Sequence, residues 1–226
     1  MRDGRASVRH LRQAACTGRW GLPLRGVRRP NTSWAADERK KSVEILVCPL
    51  SKVMSMVKIH TPERIVSLLD PGYAFPETSP AYLNRHLRLC FNDIHVATEG
   101  QVMPTAKHID DLLAFISLWS RKTPILIHCR AGIGRSTAVA FITACLHNPH
   151  ADELEIAGAL RRASPLARPN ETLIQLADAA MDRNGMMSKA IAETGRDLSW
   201  ADVIEQLENC DEGVPFGMPA TFGSTP

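Results

Sequence analysis

The 226-residue chain has no apolar run near the 18 or so residues that a membrane-spanning helix requires. It also has no C-x-x-C pair. Its six cysteines, Cys16, Cys48, Cys90, Cys129, Cys145 and Cys210, are widely scattered, which argues against a disulfide framework and against a zinc site. The expected setting is a reducing cytoplasm. Two phosphate-binding motifs are missing as well. There is no G-x-x-x-x-G-K-S/T, and Gly132-x-Gly134 lacks the third glycine of a dinucleotide loop. Acidic residues are scarce at the start: residues 1–41 carry eleven Lys/Arg against three Asp/Glu, a net of +8. The remainder carries 16 against 21, a net of −5, so the expected folded part is mildly acidic.

What the chain does have is concentrated in His128-Cys-Arg-Ala-Gly-Ile-Gly-Arg-Ser-Thr137, between the apolar runs 124–127 and 138–142. This context predicts strand, tight loop and helix. Such a loop turns successive backbone N–H groups into one concavity at a positive helix end, a ready site for a phosphate. Cys129 falls at its floor, where those dipoles favour a thiolate nucleophile. Arg130, Ala131, Gly132, Ile133 and Gly134 form the cup, with Gly132 and Gly134 supplying positive φ and close backbone approach. Arg135 closes it, and its planar fork can hold two phosphoryl oxygens at once. Arg130 and Arg135 also add local positive field to an acidic body.

Residues 128–136 resemble the His-Cys-x-x-x-x-x-Arg-Ser/Thr signature of the cysteine-dependent protein tyrosine phosphatase superfamily. Residues from about 43 to 184 are similar in length and order to its compact, bacterial-type dual-specificity members. Pro169-Asn170-x-x-Leu173-x-x-Leu176 resembles the segment that opens a late helix there. The Trp-Pro-Asp acid loop and the Tyr-bearing recognition loop of larger tyrosine-specific domains are not visible. The resemblance implies an α/β fold: a central, mostly parallel sheet flanked by helices, with the phosphate loop between a strand and a buried helix. It implies no cofactor and no metal.

It also assigns roles. Cys129 is the nucleophile, and Asp93, in Asn92-Asp93 some 36 residues earlier, matches the general acid, with Asp70 as runner-up. Ser136 matches the hydroxyl that hydrogen-bonds the leaving thiolate, and its position also suits a helix N-cap. His128 is expected to brace the loop rather than move protons. In a parallel sheet Cys48 and Cys90 end strands on the same side as Cys129 and could in principle trap its sulfenic acid as a disulfide, with ordinary buried cysteines as the favoured reading.

Pattern reading predicts strands at 43–48, 64–69, 87–91 and 125–128. Helices are predicted at 51–58, 105–121, 136–146, 152–163 and from Pro169 to about 184. The domain plan is a basic, disordered extension over 1–41, a phosphatase domain over 42–185, a helical appendage over 186–212 and a disordered tail over 213–226. For the extension, an organelle address or an arm for anionic partners competes with a plain disordered segment. Ser199 is expected to cap a short helix with Trp200, Val203, Ile204 and Leu207 on one face.

The expected function is hydrolysis of phosphotyrosine in proteins, and of phosphoserine and phosphothreonine, through a cysteinyl-phosphate. The partner is a phosphorylated protein or other phosphomonoester, with no nucleic acid expected. Three rivals remain: an inositol-phosphate or phosphoinositide phosphatase, a phospho-binding pseudophosphatase, and a Cys-loop sulfurtransferase, which would need neither Asp93 nor Ser136.

Overall fold

The computed structural model describes residues 43–195 and 215–222. The expectations for residues 1–41 and for the helix after Ser199 lie outside those residues. In chain order the elements are β1 (Glu44–Pro49), α1 (Val53–His60), β2 (Arg64–Leu69), β3 (His86–Cys90), α2 (Ala106–Ser117) and β4 (Ile125–Cys129). They continue with α3 (Arg135–His147), α4 (Glu153–Ala163), α5 (Glu171–Ala180), α6 (Met186–Glu193) and β5 (Phe216–Pro219).

The strand order is β3-β2-β4-β1-β5. The first four are parallel, and only β5 runs antiparallel, against β1. Because α1 carries the chain from β1 over to β2 while leaving one place between them, β4 slots into the centre of the sheet. All five of its residues are buried, as expected for a strand covered on both faces. Cys129, the last residue of β4, therefore emerges at the carboxyl edge of the sheet beside Pro49, where ligand crevices form in open α/β sheets.

Alternation along the strands separates two apolar layers. Ile45, Val47, Val66, Leu68, Ile125, Ile127 and Cys129 pack with α2 to α6. Leu46, Cys48 and Leu126 pack with Val53 and Met56 of α1 on the opposite side. The central helix α3 is buried on all sides, with eleven of its 13 residues inaccessible, which is why its sequence is apolar with no polar face.

Three departures from the sequence reading have local causes. Helix α2 ends at Ser117 rather than near Arg121, where φ is +57°. Trp119 still reaches the core, its Nε1 donating to Thr123 O. Helix α5 stops at Ala180, ahead of the left-handed Asp182 and Asn184. Met187 and Ala190 of α6 are buried in the same core, so the packing has no break at 185.

The fourth departure is a correction. Residues after Gly213 were expected to be disordered, yet Phe216–Pro219 pairs with β1, Ile45 opposite Met218, and Met218 is fully buried. A four-residue strand containing Gly217 and ending in Pro219 carries almost no local strand signal. Proline is tolerated because β5 is an edge strand, and burial of Met218 against the core supplies what propensity does not.

Candidate active site

Residues 130–134 connect the end of β4 to the start of α3, and three of their carbonyls are hydrogen-bonded to the surrounding chain. Arg130 O accepts from Leu50 N at 3.1 Å. Ile133 O accepts from Arg168 N at 2.9 Å and from Thr137 Oγ1. Gly134 O accepts from Ala138 N at 3.1 Å and from Thr137 Oγ1 at 2.8 Å. With those carbonyls engaged by Leu50, Arg168 and the first turn of α3, the loop N–H groups are the partners it can offer an anion. One of them, Gly132 N–H, donates to Cys129 Sγ at 3.2 Å.

The two glycines serve different ends. Gly132 has φ +77°, and a Cβ there would stand 2.9 Å from Pro49 N. Gly134 does not use positive φ, contrary to the sequence reading. Its lack of a side chain makes room for Asp93, whose carboxylate would collide with a methyl at that position.

Cys129 is buried, and its Sγ lies 3.1 Å from Ser136 Oγ. Ser136 is not the N-cap. The helix begins at Arg135 with Gly134 as its cap, so Ser136 sits inside the first turn and aims back at the sulfur.

Arg135 is almost wholly enclosed. Its Nη1 donates to Phe91 O at 2.5 Å and its Nη2 to Asp70 Oδ2 at 3.1 Å. Its Nε–H has no hydrogen-bond acceptor and lies 3.8 Å from Asp93 Oδ2. A buried, unsatisfied donor costs about 1–3 kcal/mol, and a phosphoryl oxygen is the type of ligand that would satisfy it.

Two carboxylates end adjacent loops here, and they differ. Both oxygens of Asp70 are engaged, Oδ2 with Arg135 and Oδ1 accepting from Asn92 Nδ2 at 3.0 Å. Asp93 is 36% exposed. Its Oδ1 accepts from Asn170 Nδ2 at 2.7 Å, and its Oδ2 faces the loop. Asp70 thus braces Arg135, while Asp93 remains accessible beside Gly134. Asn92 also pins the loop that carries Asp93 at its base, exchanging bonds with the backbone of Val102.

His128 is enclosed, with Nε2 2.5 Å from Ser67 Oγ and Nδ1 3.4 Å from Cys129 O. Burial pushes its pKa down to about 4, so it is neutral at pH 7. Arg130 is exposed, and its guanidinium lies 5.4 Å from the centroid of the Tyr73 ring. A groove of about 850 Å³ opens beside Asp93, Ile133 and Gly134 and runs along Arg168, Ile174 and Ile191.

The alternative of a disulfide partner for Cys129 does not survive, and of the two cysteines expected to be ordinary and buried, Cys48 is buried and Cys90 is exposed. Cys48 belongs to the apolar layer around α1, on the opposite face of the sheet from Cys129. Cys90 alternates with Leu89, which points to the Cys129 side, and is itself exposed. Neither is placed to meet the Cys129 sulfur.

Sequence reasoning missed Asn92 and Asn170 and did not foresee the bond of Asp70 to Arg135. Asn170 had one signal, its place in Pro169-Asn170 ahead of α5, and it does cap that helix by accepting from Leu173 N at 3.0 Å. Its second bond, to Asp93, left no trace in local pattern. Among the described residues, no group of three or more His, Cys, Asp or Glu could hold a metal ion, and no helix is long and apolar enough to cross a membrane.

Residues 65–148 match the family described as "Polymorphic toxin system, DSP-PTPase phosphatase". No curated protein matches the chain. Among solved structures, the chain is similar to Tk-PTP in its active form at 18% identity, with 60% of this chain and 88% of that one covered and a TM-score of 0.41. It is similar to PTPMT1 in complex with PI(5)P at 15% identity, covering 66% and 92%, with a TM-score of 0.43. A mouse putative dual specificity phosphatase complexed with zinc tungstate gives 13% identity, 70% and 98% coverage, and a TM-score of 0.43.

Proposed function

We propose that the chain hydrolyses phosphotyrosine in proteins, with phosphoserine and phosphothreonine as further substrates, starting from the premise that residues 65–148 form a phosphatase domain of the dual-specificity type in the cysteine-dependent protein tyrosine phosphatase superfamily. The observation that carries the reading is the convergence on one loop of four groups with distinct jobs. Cys129 Sγ lies within 3.2 Å of the Gly132 amide and 3.1 Å of Ser136 Oγ. Arg135 is pinned behind them, and Asp93 stands over Gly134.

The reaction is a double displacement. Cys129 Sγ forms a bond to phosphorus as the ester P–O bond breaks, and the electron pair leaves with the alcohol or phenol oxygen. Asp93 gives that oxygen its proton, a contribution of about 10² to 10⁴ in rate. The loop amides and Arg135 hold the equatorial oxygens of a loose transition state. Water then attacks phosphorus with Asp93 accepting its proton, and the Ser136 hydroxyl donates to the sulfur as the S–P bond breaks. His128, neutral and enclosed, supports the loop.

Two features favour a protein substrate over an inositol phosphate. Arg130, the basic residue next to the nucleophile, leans on Tyr73, and Ile133 supplies an apolar rim where a second cation would be wanted. The adjoining groove has room for residues flanking a phosphorylated side chain, along Ile174 and Ile191. The test is phosphate release from phosphotyrosine and phosphoserine peptides, phosphoinositides and inositol hexakisphosphate, by wild type and Cys129→Ser. Phosphotyrosine peptides should be the best substrates, and Cys129→Ser should release nothing while still binding them. A preference for phosphoinositides would install that rival. Binding without turnover by the wild type would make the protein a phospho-binding module.

A further inference from the structure

The α1 side of the sheet is interrupted by a polar row across β3, β2 and β4. We infer that Thr78, His86 and Ser67 are positioning residues, forming a one-way hydrogen-bonded chain that fixes the tautomer of His128 and, through it, the first peptide of the phosphate loop. The inference rests on the phosphatase reading above. Four contacts make the chain. Thr78 Oγ1 is 3.2 Å from His86 Nδ1, and His86 Nε2 is 2.6 Å from Ser67 Oγ. Ser67 Oγ is 2.5 Å from His128 Nε2, and His128 Nδ1 is 3.4 Å from Cys129 O.

The direction follows from counting protons. A carbonyl oxygen can only accept, so the proton between His128 and Cys129 must sit on Nδ1. Both imidazoles are neutral at pH 7, because burial pushes each down to about 4. His128 Nε2 is then bare and accepts from the Ser67 hydroxyl, which has only that one proton to give. His86 must therefore donate from Nε2 to Ser67, leaving its Nδ1 to accept from Thr78. Each link holds one proton, and all four point toward Cys129. In the reverse direction a bare Nδ1 would face the Cys129 carbonyl, two acceptors opposed in a closed site.

The consequence reaches the loop because the peptide unit is planar, with C=O and N–H pointing opposite ways. Holding Cys129 C=O toward His128 sends the Arg130 N–H in the other direction. Ser67 is fully buried, so no bulk solvent can replace its hydroxyl. Thr78 lies in the connection between β2 and β3, so the chain also ties that connection to the catalytic peptide.

The test is long-range ¹⁵N–¹H correlation NMR of the full chain, histidine-labelled, at pH 7, with assignment through His86→Gln. His128 should carry its proton on Nδ1 and His86 on Nε2; His128 found in the Nε2–H form overturns the inference. In parallel, Ser67→Ala should lower kcat/KM on an aryl phosphate by roughly tenfold, the weight of one buried hydrogen bond, and let His128 populate both tautomers. Ser67→Thr, which keeps the hydroxyl, should restore both. A folded Ser67→Ala with wild-type kinetics and an unchanged His128 also overturns it. Should Ser67→Ala fail to fold, the wild-type spectrum decides alone. A wild type that shows the expected tautomers but cleaves no phosphate ester would sink the phosphatase reading and leave the hydrogen-bonded chain intact.

Discussion

Asn170 Nδ2 donates to Asp93 Oδ1 at 2.7 Å, while Asn170 Oδ1 accepts from Leu173 N, so one amide both caps α5 and holds the carboxyl group proposed as the acid. The two duties can be separated. Asn170→Ser retains a capping oxygen but cannot reach Asp93 with a donor, whereas Asn170→Ala loses both. Asn170→Ala should lose about 0.5–2 kcal/mol of stability, and Asn170→Ser much less. Both should slow cleavage of alkyl phosphates. Chemical denaturation beside alkyl-phosphate kinetics tests this; a Ser variant with unimpaired turnover would show that Asp93 needs no such support.

Asp93 and Asp70 should respond differently to removal of charge. Asp93→Asn is expected to slow esters with poor leaving groups by about 10² to 10⁴, and much less an ester whose leaving group departs without a proton. Asp70→Asn loosens Arg135 instead, so it should depress all esters alike and raise KM. Leaving-group series for both variants discriminate the roles. Interchanged patterns would make Asp70 the acid.

Gly134→Ala places a methyl against the Asp93 carboxylate. Its expected signature is that of Asp93→Asn, with Cys129 still alkylated by iodoacetate at the wild-type rate. Gly132→Ala is a different lesion. With φ +77° and Pro49 N 2.9 Å from the new Cβ, it should deform the loop itself, so phosphate-ester binding fails along with turnover.

Stability should fall on acidification before carboxylates titrate. Burial pushes His86 and His128 down to about 4, while the unfolded chain binds protons at these residues from about 6.5. Their contribution is thus complete above 6.5 and is lost as pH falls from there toward 4. His108 and His147, also lowered by burial, act in the same sense. Melting temperatures measured from pH 7.5 to 5 should decline, and His86→Gln should flatten the decline. A flat wild-type profile would mean these imidazoles are solvated.

The β4–loop–α3 unit was legible because everything it needs is local: an apolar run, Cys129, two glycines and Arg135 within a dozen residues. Strand β2 falls on the residues its β-branched and aliphatic run predicts, Arg64–Leu69. What surrounds the loop was not legible, because it is assembled from distant chain. Asn170 meets Asp93 across 77 positions, Asp70 meets Arg135 across 65, and Ser67 meets His128 across 61. No periodicity carries such pairings. Ser136 illustrates the smaller failure. Of the two roles expected of Ser136, the cap falls instead to Gly134, two positions earlier, which leaves the Ser136 hydroxyl inside the first turn of α3 and facing Cys129.

Arg135 is fixed by Phe91 O and Asp70 on one side while its Nε–H is left bare. A guanidinium already ordered by folding loses little freedom when an oxyanion arrives. That rigidity, however, does not distinguish an ester from the orthophosphate it yields. Both present the tetrahedral oxygens that the loop amides and the bare Nε–H can grip, and the free anion carries no alcohol to anchor it elsewhere. On the proposed function, inorganic phosphate is therefore expected to compete with the ester for the same cup, so that ambient phosphate would set the working rate alongside the supply of substrate.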